Sequence, residues 1–174
     1  DPNHPSEATN AKVLVSLAVG TALAAGACGA LNMWAESDAD SRMERTKNRP
    51  IPAQLIPPSL ALVFGVILLI LGVGLVGMGA NLLAGCLTAA TAISYLLFYT
   101  PLKKRTSWCT LVGSLPGALP PLIGTAAKLN GRIDEMGWLL FALLFFWQVP
   151  HFMALAVMCR EDYNRGGFKV ATVE

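Results

Sequence analysis

Asn32, Glu36 and Asp40 recur at intervals of four, so on a helix they project from one side, stacked turn on turn. Oxygen ligands spaced in this way suit Mg²⁺, a hard cation that takes a few carboxylates and completes its shell with water and substrate phosphate oxygens. Asp38 is a further carboxylate candidate in the same stretch, and Arg42, Arg45, Lys47 and Arg49 follow it. Arginine matches phosphate oxygens, often two at a time. Acids interleaved with arginines therefore fit a metal-chelated diphosphate better than a bare anion. The competing reading is a solvated loop whose charges pair with one another, a common arrangement of little energetic weight. Helical continuation of the segment would put Asp38, Arg42, Arg45 and Arg49 on roughly the other side, and Pro50 and Pro52 end it.

The elements that must position these groups are membrane helices. Of the 174 residues, 54% are hydrophobic and 14% charged, and the apolar residues gather in runs near the ~20 residues that a bilayer core asks of a helix. Spans are predicted at about Val13 to Trp34, Pro58 to Val76, Leu82 to Tyr99, Trp108 to Ala127 and Gly137 to Met158, each free of Lys, Arg, Asp and Glu. A soluble domain is excluded by this pattern, and helices are expected because lipid leaves backbone amides no outside partner. Pro116, Pro120 and Pro121 predict a kinked or broken fourth span, and Gly113 and Gly117 suit close packing. The four cysteines, Cys28, Cys86, Cys109 and Cys159, show no paired spacing and read as packing residues.

Charge sets the orientation. Arg42 to Arg49, Lys103 to Arg105, and Arg160, Arg165 and Lys169 follow the first, third and fifth spans, which places all three loops on one side. By the positive-inside rule that side is cytoplasmic, or the matrix side in an organelle. Attraction to anionic lipid explains basic residues alone, but Glu161 and Asp162 put further acids on the same side as Glu36 and Asp40. No nucleic-acid partner is expected.

Three segments in order carry a family likeness: NMWAESDADSRMERTKNRPIP from Asn32, YTPLKKRT from Tyr99, and WQVPHFMALAVMCREDYNRGG from Trp147, with VGSLPGALPPLIG from Val112 agreeing. Together they resemble the UbiA-type intramembrane prenyltransferases, and among them the heme-farnesylating branch. The resemblance implies an all-α integral-membrane bundle of nine helices around a cavity open to the cytoplasmic or matrix side. About five of the nine would be present, within one incomplete domain over residues 1–174, and a chain beginning at Asp1 without methionine and stopping after a polar loop is expected to be truncated at both ends. Asn32, Glu36 and Asp40 take the Asn, Asp and Asp places of the first acidic motif, with Glu in place of Asp at 36. The second motif maps to Met158 and Asp162, so its first acid is missing and Glu161 is the candidate substitute. Pro150, His151 and Phe152 stand where quinone-type relatives carry a Tyr-Asp pair, which favours heme as acceptor.

The chemistry implied is magnesium-assisted ionisation of farnesyl diphosphate and capture of the farnesyl cation by a vinyl group of heme B, giving heme O. Asn32, Glu36, Asp38, Asp40, Glu161 and Asp162 are the metal candidates, and Arg45, Arg49, Lys103 and Lys104 the diphosphate partners. Tyr99 is weighed between orienting diphosphate or the cation and anchoring the membrane interface. His151, ionisable within an apolar span, reads as an acceptor contact or a packing hydrogen bond. On a continuous helix it would share a face with Asp162, ~16 Å deeper. The expected setting is a bacterial cell membrane or mitochondrial inner membrane, with lipid contacts and possible heme-copper oxidase assembly or heme A synthase partners. The alternatives are transfer to an aromatic quinone precursor or other lipid acceptor, and a non-catalytic transporter or assembly factor.

Overall fold

The computed structural model describes residues 7–170. Its elements are α1 (Glu7–Arg42), α2 (Pro58–Gly79), α3 (Leu82–Ile93), a π-helical turn (Ser94–Tyr99), α4 (Thr100–Leu102), α5 (Cys109–Ala118), α6 (Pro120–Lys128), α7 (Glu135–Met158) and α8 (Arg160–Gly166). They form five spans long and apolar enough to cross a membrane: α1, α2, Leu82–Leu102, Cys109–Lys128 and α7. The chain is thus an all-helical integral-membrane protein, as its apolar runs predict, and Leu60, Phe64, Ile67 and Ile70 on α2 and Leu139, Leu143 and Phe146 on α7 remain exposed.

Small residues let these helices approach where lipid gives no hydrophobic drive between them. On α2, a Cβ added at Gly72 would lie 2.7 Å from the Ala24 nitrogen of α1, and on α3 one at Gly85 would lie 2.7 Å from the Gly77 Cα of α2. Inside the spans Thr88 and Ser114 spend their donors on their own helix, Thr88 on the Ala84 carbonyl at 2.8 Å and Ser114 on the Thr110 carbonyl at 3.1 Å. At the end away from the basic loops, Asn81 caps α3 by accepting from the Ala84 amide, and its own amide donates to the Ala126 carbonyl at 2.8 Å, tying that corner to α6.

Two prolines shape the parts that matter for the site. Pro101 lacks an N–H and its ring crowds the carbonyl four residues back, so the preceding turn widens and the Thr100 amide donates to the Tyr95 carbonyl, five residues away. Pro120 opens α6 after a break at Leu119, as the proline pattern predicts. Two glycines of that span meet side chains instead of helix backbone: Gly113 makes room for the Tyr99 ring and Gly117 for Gln148.

Two expectations need correction. Helix α1 stops at Arg42 and does not continue toward Pro50. The Asp40 carbonyl takes the Met43 amide at 3.3 Å and the Thr46 hydroxyl at 3.0 Å, and the chain then runs in tight turns, Thr46 to Met43 and Arg49 to Thr46. Helix α7 likewise ends at Met158, with Cys159 at φ −105°, ψ 18° before α8 begins. His151 and Asp162 therefore share no continuous helix, and their one-face relationship does not hold.

Candidate functional site

On the last turns of α1, Asn32, Glu36 and Asp40 are 7%, 4% and 1% exposed, so the one-face stack predicted from their spacing is also a buried stack. The Asn32 amide donates to Glu36 Oε2 at 2.9 Å. Lys103 Nζ stands 2.7 Å from Glu36 Oε1, and Arg49 Nη1 donates to Asp40 Oδ2 at 2.8 Å. The lysine contact is an ion pair without hydrogen-bond alignment. Glu36 Oε1 thus has the Lys103 ammonium as its charge partner, whereas Asp40 Oδ1 is a buried carboxylate oxygen with no partner among the described residues. Buried acceptors left in this way are costly unless something else meets them, and a hard cation is the natural partner for such oxygens.

The widened turn before Pro101 delivers the opposing side. Thr100 Oγ1 lies 3.1 Å from Asn32 Oδ1 and 2.9 Å from the Tyr95 carbonyl, its single proton shared between the two. Tyr99 sits over Lys103, whose ammonium is 4.7 Å from the ring centroid, and the Phe168 ring flanks the same ammonium at 5.5 Å. From Tyr99 a run of rings continues to Phe152 at 6.5 Å, His151 at 5.9 Å and Trp147 at 4.9 Å.

The remaining predicted residues fall elsewhere. Asp38 is exposed and pairs with Arg42 at 2.6 Å. Arg45 and Lys104 are exposed at the rim. Glu161 is 91% exposed and lies 3.8 Å from Arg165. Both Asp162 oxygens accept backbone amides across the loop, from Glu44 at 3.0 Å and Arg45 at 3.3 Å. Among the described residues no three His, Cys, Asp or Glu side chains converge, so the stack offers two carboxylates and an amide. His151 is exposed, stacked on Trp147 on a face of α7 that no described element covers.

Sequence reasoning missed Thr100 and Phe168. Gly167, at φ +71°, ends α8 in the left-handed conformation, and the next residue, Phe168, turns back to bury itself (3% exposed) against Ala39 and Met43. The Lys169 amide then donates to the Lys103 carbonyl at 2.7 Å. The glycine pair Gly166-Gly167 before an aromatic residue was the available signal. Beside Phe168, Tyr163 has its hydroxyl pKa pushed up by burial.

Beneath the polar stack lies an apolar cavity of about 500 Å³, lined by Thr21, Ala25 and Cys28 of α1, Thr88 and Ala92 of α3 and Ile123 of α6. Cys28 is one turn from Asn32, so cavity and carboxylates occupy successive levels of one face of α1.

The bundle thus sets buried acids and bases at one end directly above an apolar cavity, with room for a charged head at one level and an apolar tail at the next. The UbiA prenyltransferase family matches residues 4–173, and the chain belongs to that family. It is similar to the protoheme IX farnesyltransferases of Sorangium cellulosum (45% identity, over 90% of this chain and 55% of the relative), Myxococcus xanthus (43%, 99% and 57%) and Rhizorhabdus wittichii (48%, 84% and 48%). The chain spans about half the length of these curated relatives. No solved structure matches it.

Proposed function

We propose that this chain carries the diphosphate-binding part of a heme farnesyltransferase, which moves the farnesyl group of farnesyl diphosphate onto a vinyl group of heme B to make heme O. The observation that carries the reading is the shared face of α1, where buried Asn32, Glu36 and Asp40 stand above an apolar cavity that begins at Cys28. An anionic head on an isoprenoid tail matches both levels. The names of the similar bacterial proteins support farnesyl as the tail and protoheme IX as the acceptor.

In this reading Asn32, Glu36 and Asp40 would hold Mg²⁺, which fits the buried Asp40 oxygen that lacks a partner. When bound, the ion stabilises negative charge on the leaving diphosphate. Lys103 and Arg49, already at the carboxylates, turn to the phosphate oxygens, and Arg45 and Lys104 extend the cationic rim. Rupture of the allylic carbon to oxygen bond leaves the electron pair on pyrophosphate and an allyl cation on the farnesyl carbon. The Tyr99 ring, held over Lys103 and in Gly113's hollow, faces that charge. The apolar walls keep water from the cation until the vinyl π electrons close the new carbon to carbon bond. The cation then left beside the porphyrin takes water and releases a proton, giving the hydroxyethylfarnesyl side chain. His151 and Trp147 are the acceptor contacts, reached from Tyr99 through Phe152. The three basic loops support an opening on the cytoplasmic or matrix side.

Asp40→Asn in the full-length protein tests the reading: product formation is lost while membrane insertion is unchanged. Retained turnover with Mg²⁺ would remove Asp40 from the metal site.

A further inference from the structure

The chain leaves α8 in a way that brings one aromatic ring back onto the polar stack. Gly167 ends the helix at φ +71°, the Phe168 amide donates to the Tyr163 carbonyl at 2.9 Å, and Phe168 turns inward to 3% exposure. A Cβ added at Gly166 would lie 2.9 Å from the Met43 sulfur and 3.2 Å from the Phe168 ring, so the small residue keeps the space into which the ring folds. One residue further on, the Lys169 amide donates to the Lys103 carbonyl at 2.7 Å. Lys103 stands just past the end of α4, where the amides of Lys104, Arg105 and Thr106 use the Pro101 and Leu102 carbonyls and leave the Lys103 carbonyl to Lys169. One short segment therefore holds Lys103 twice, by its backbone and by its ammonium, which lies 5.5 Å from the Phe168 ring centroid.

We propose that Phe168 is a positioning residue: together with Tyr99 it holds the Lys103 ammonium against the carboxylate stack, where the diphosphate meets it. A lysine side chain is among the costliest to order, and its ammonium gives up water on burial. The Lys103 side chain is 13% exposed, with Glu36 Oε1 at 2.7 Å, the Tyr99 ring centroid at 4.7 Å and that of Phe168 at 5.5 Å. An aliphatic neighbour at position 168 would desolvate the charge without attracting it, whereas the negative face of an aromatic ring offsets part of that loss. Glu36 alone does not fix the ammonium once a phosphate oxygen competes for it, and the two rings keep it in place as the partner changes. The Phe168 ring is itself held, edge to face with Tyr163 at 5.9 Å and packed on Ala39 and Met43. The last turn of α1 thus reaches Lys103 through Phe168 as well as through Glu36. This inference rests on the diphosphate reading above.

The test uses the full-length protein in lipid nanodiscs with Phe168 exchanged for mono-, di- and trifluorophenylalanine, a series that drains the negative ring face while keeping the shape of the ring. Phe168→Leu removes the face altogether and keeps an apolar side chain. The readouts are the rate of reductive methylation of Lys103 by mass spectrometry, the dissociation constant for farnesyl thiodiphosphate with Mg²⁺, and KM and kcat for farnesyl diphosphate. Along the fluorinated series methylation quickens and the dissociation constant rises in steps to about twofold to fivefold, the scale of one cation–π contact. KM rises with it, kcat stays within about twofold, and the melting temperature is unchanged. Phe168→Leu gives a rise at least as large. A flat response across the fluorinated series overturns the proposal even where Phe168→Leu weakens binding, because packing alone then accounts for the residue. Tighter binding along the series also overturns it. Faster methylation with unchanged thiodiphosphate binding removes the positioning role and leaves the diphosphate reading standing. If wild-type protein binds no farnesyl thiodiphosphate, the diphosphate reading fails and the positioning role falls with it.

Discussion

Thr100 Oγ1 stands 3.1 Å from Asn32 Oδ1 across 68 residues of sequence, and it is the contact that joins the π-helical turn before Pro101 to the carboxylate stack on α1. Asn32 can donate to Glu36 only while its own oxygen is turned the other way, toward Thr100. Thr100→Val keeps the shape and deletes the donor, leaving a buried amide oxygen unsatisfied at a cost of about 1–3 kcal/mol. The expected result is a fall of about tenfold or more in kcat/KM, with Thr100→Ser recovering most of it, measured by steady-state assay of the full-length protein.

Lys103 and Glu36 form a pair whose side chains are 13% and 5% exposed. Lys103→Met strands a buried carboxylate and is expected to destabilise the protein by about 3–5 kcal/mol and to raise KM for the diphosphate. Adding Glu36→Gln should restore thermal stability in detergent but not turnover. Separation of those two recoveries distinguishes a charge pair needed for folding from charges needed for chemistry.

A Cβ at Gly113 would lie 2.6 Å from the Tyr99 ring carbons. Gly113→Ala must displace that ring from Lys103, and overpacking of this kind costs about 1–3 kcal/mol. A lowered melting temperature together with a lowered kcat is expected, and unchanged values of both would show that the ring has room to move.

Cys28 lies where the polar stack gives way to the apolar cavity. Cys28→Phe should shorten the space below Asn32 and shift the preference from farnesyl toward geranyl diphosphate by roughly tenfold in relative kcat/KM, the scale set by losing a few methylene contacts. Parallel assays with the two diphosphates check this.

Sequence alone reached the five spans because each is a long uncharged run, and it reached Asn32, Glu36 and Asp40 because a four-residue interval survives on any helix. The broken span at Leu119 was legible from its prolines for the same local reason. What escaped depends on contacts between distant segments. Helix α1 ends at Arg42 because Thr46 and Met43 capture the Asp40 carbonyl, and Asp162 holds the turn that follows, neither of which periodicity records. The face shared by His151 and Asp162 fails at Cys159, where a polar segment replaces the apolar run without a glycine or proline to announce the break. Thr100 was hidden because its importance comes from the widened turn that Pro101 imposes, a distortion that simple helical spacing does not anticipate.

The proposed farnesyl transfer to heme is tested by the mass of the product formed when purified full-length protein is incubated with heme B, farnesyl diphosphate and Mg²⁺. A heme carrying one hydroxyethylfarnesyl group is expected, formed only with Mg²⁺ and lost in Asp40→Asn. Farnesylation of a quinone precursor with heme left unmodified would contradict it.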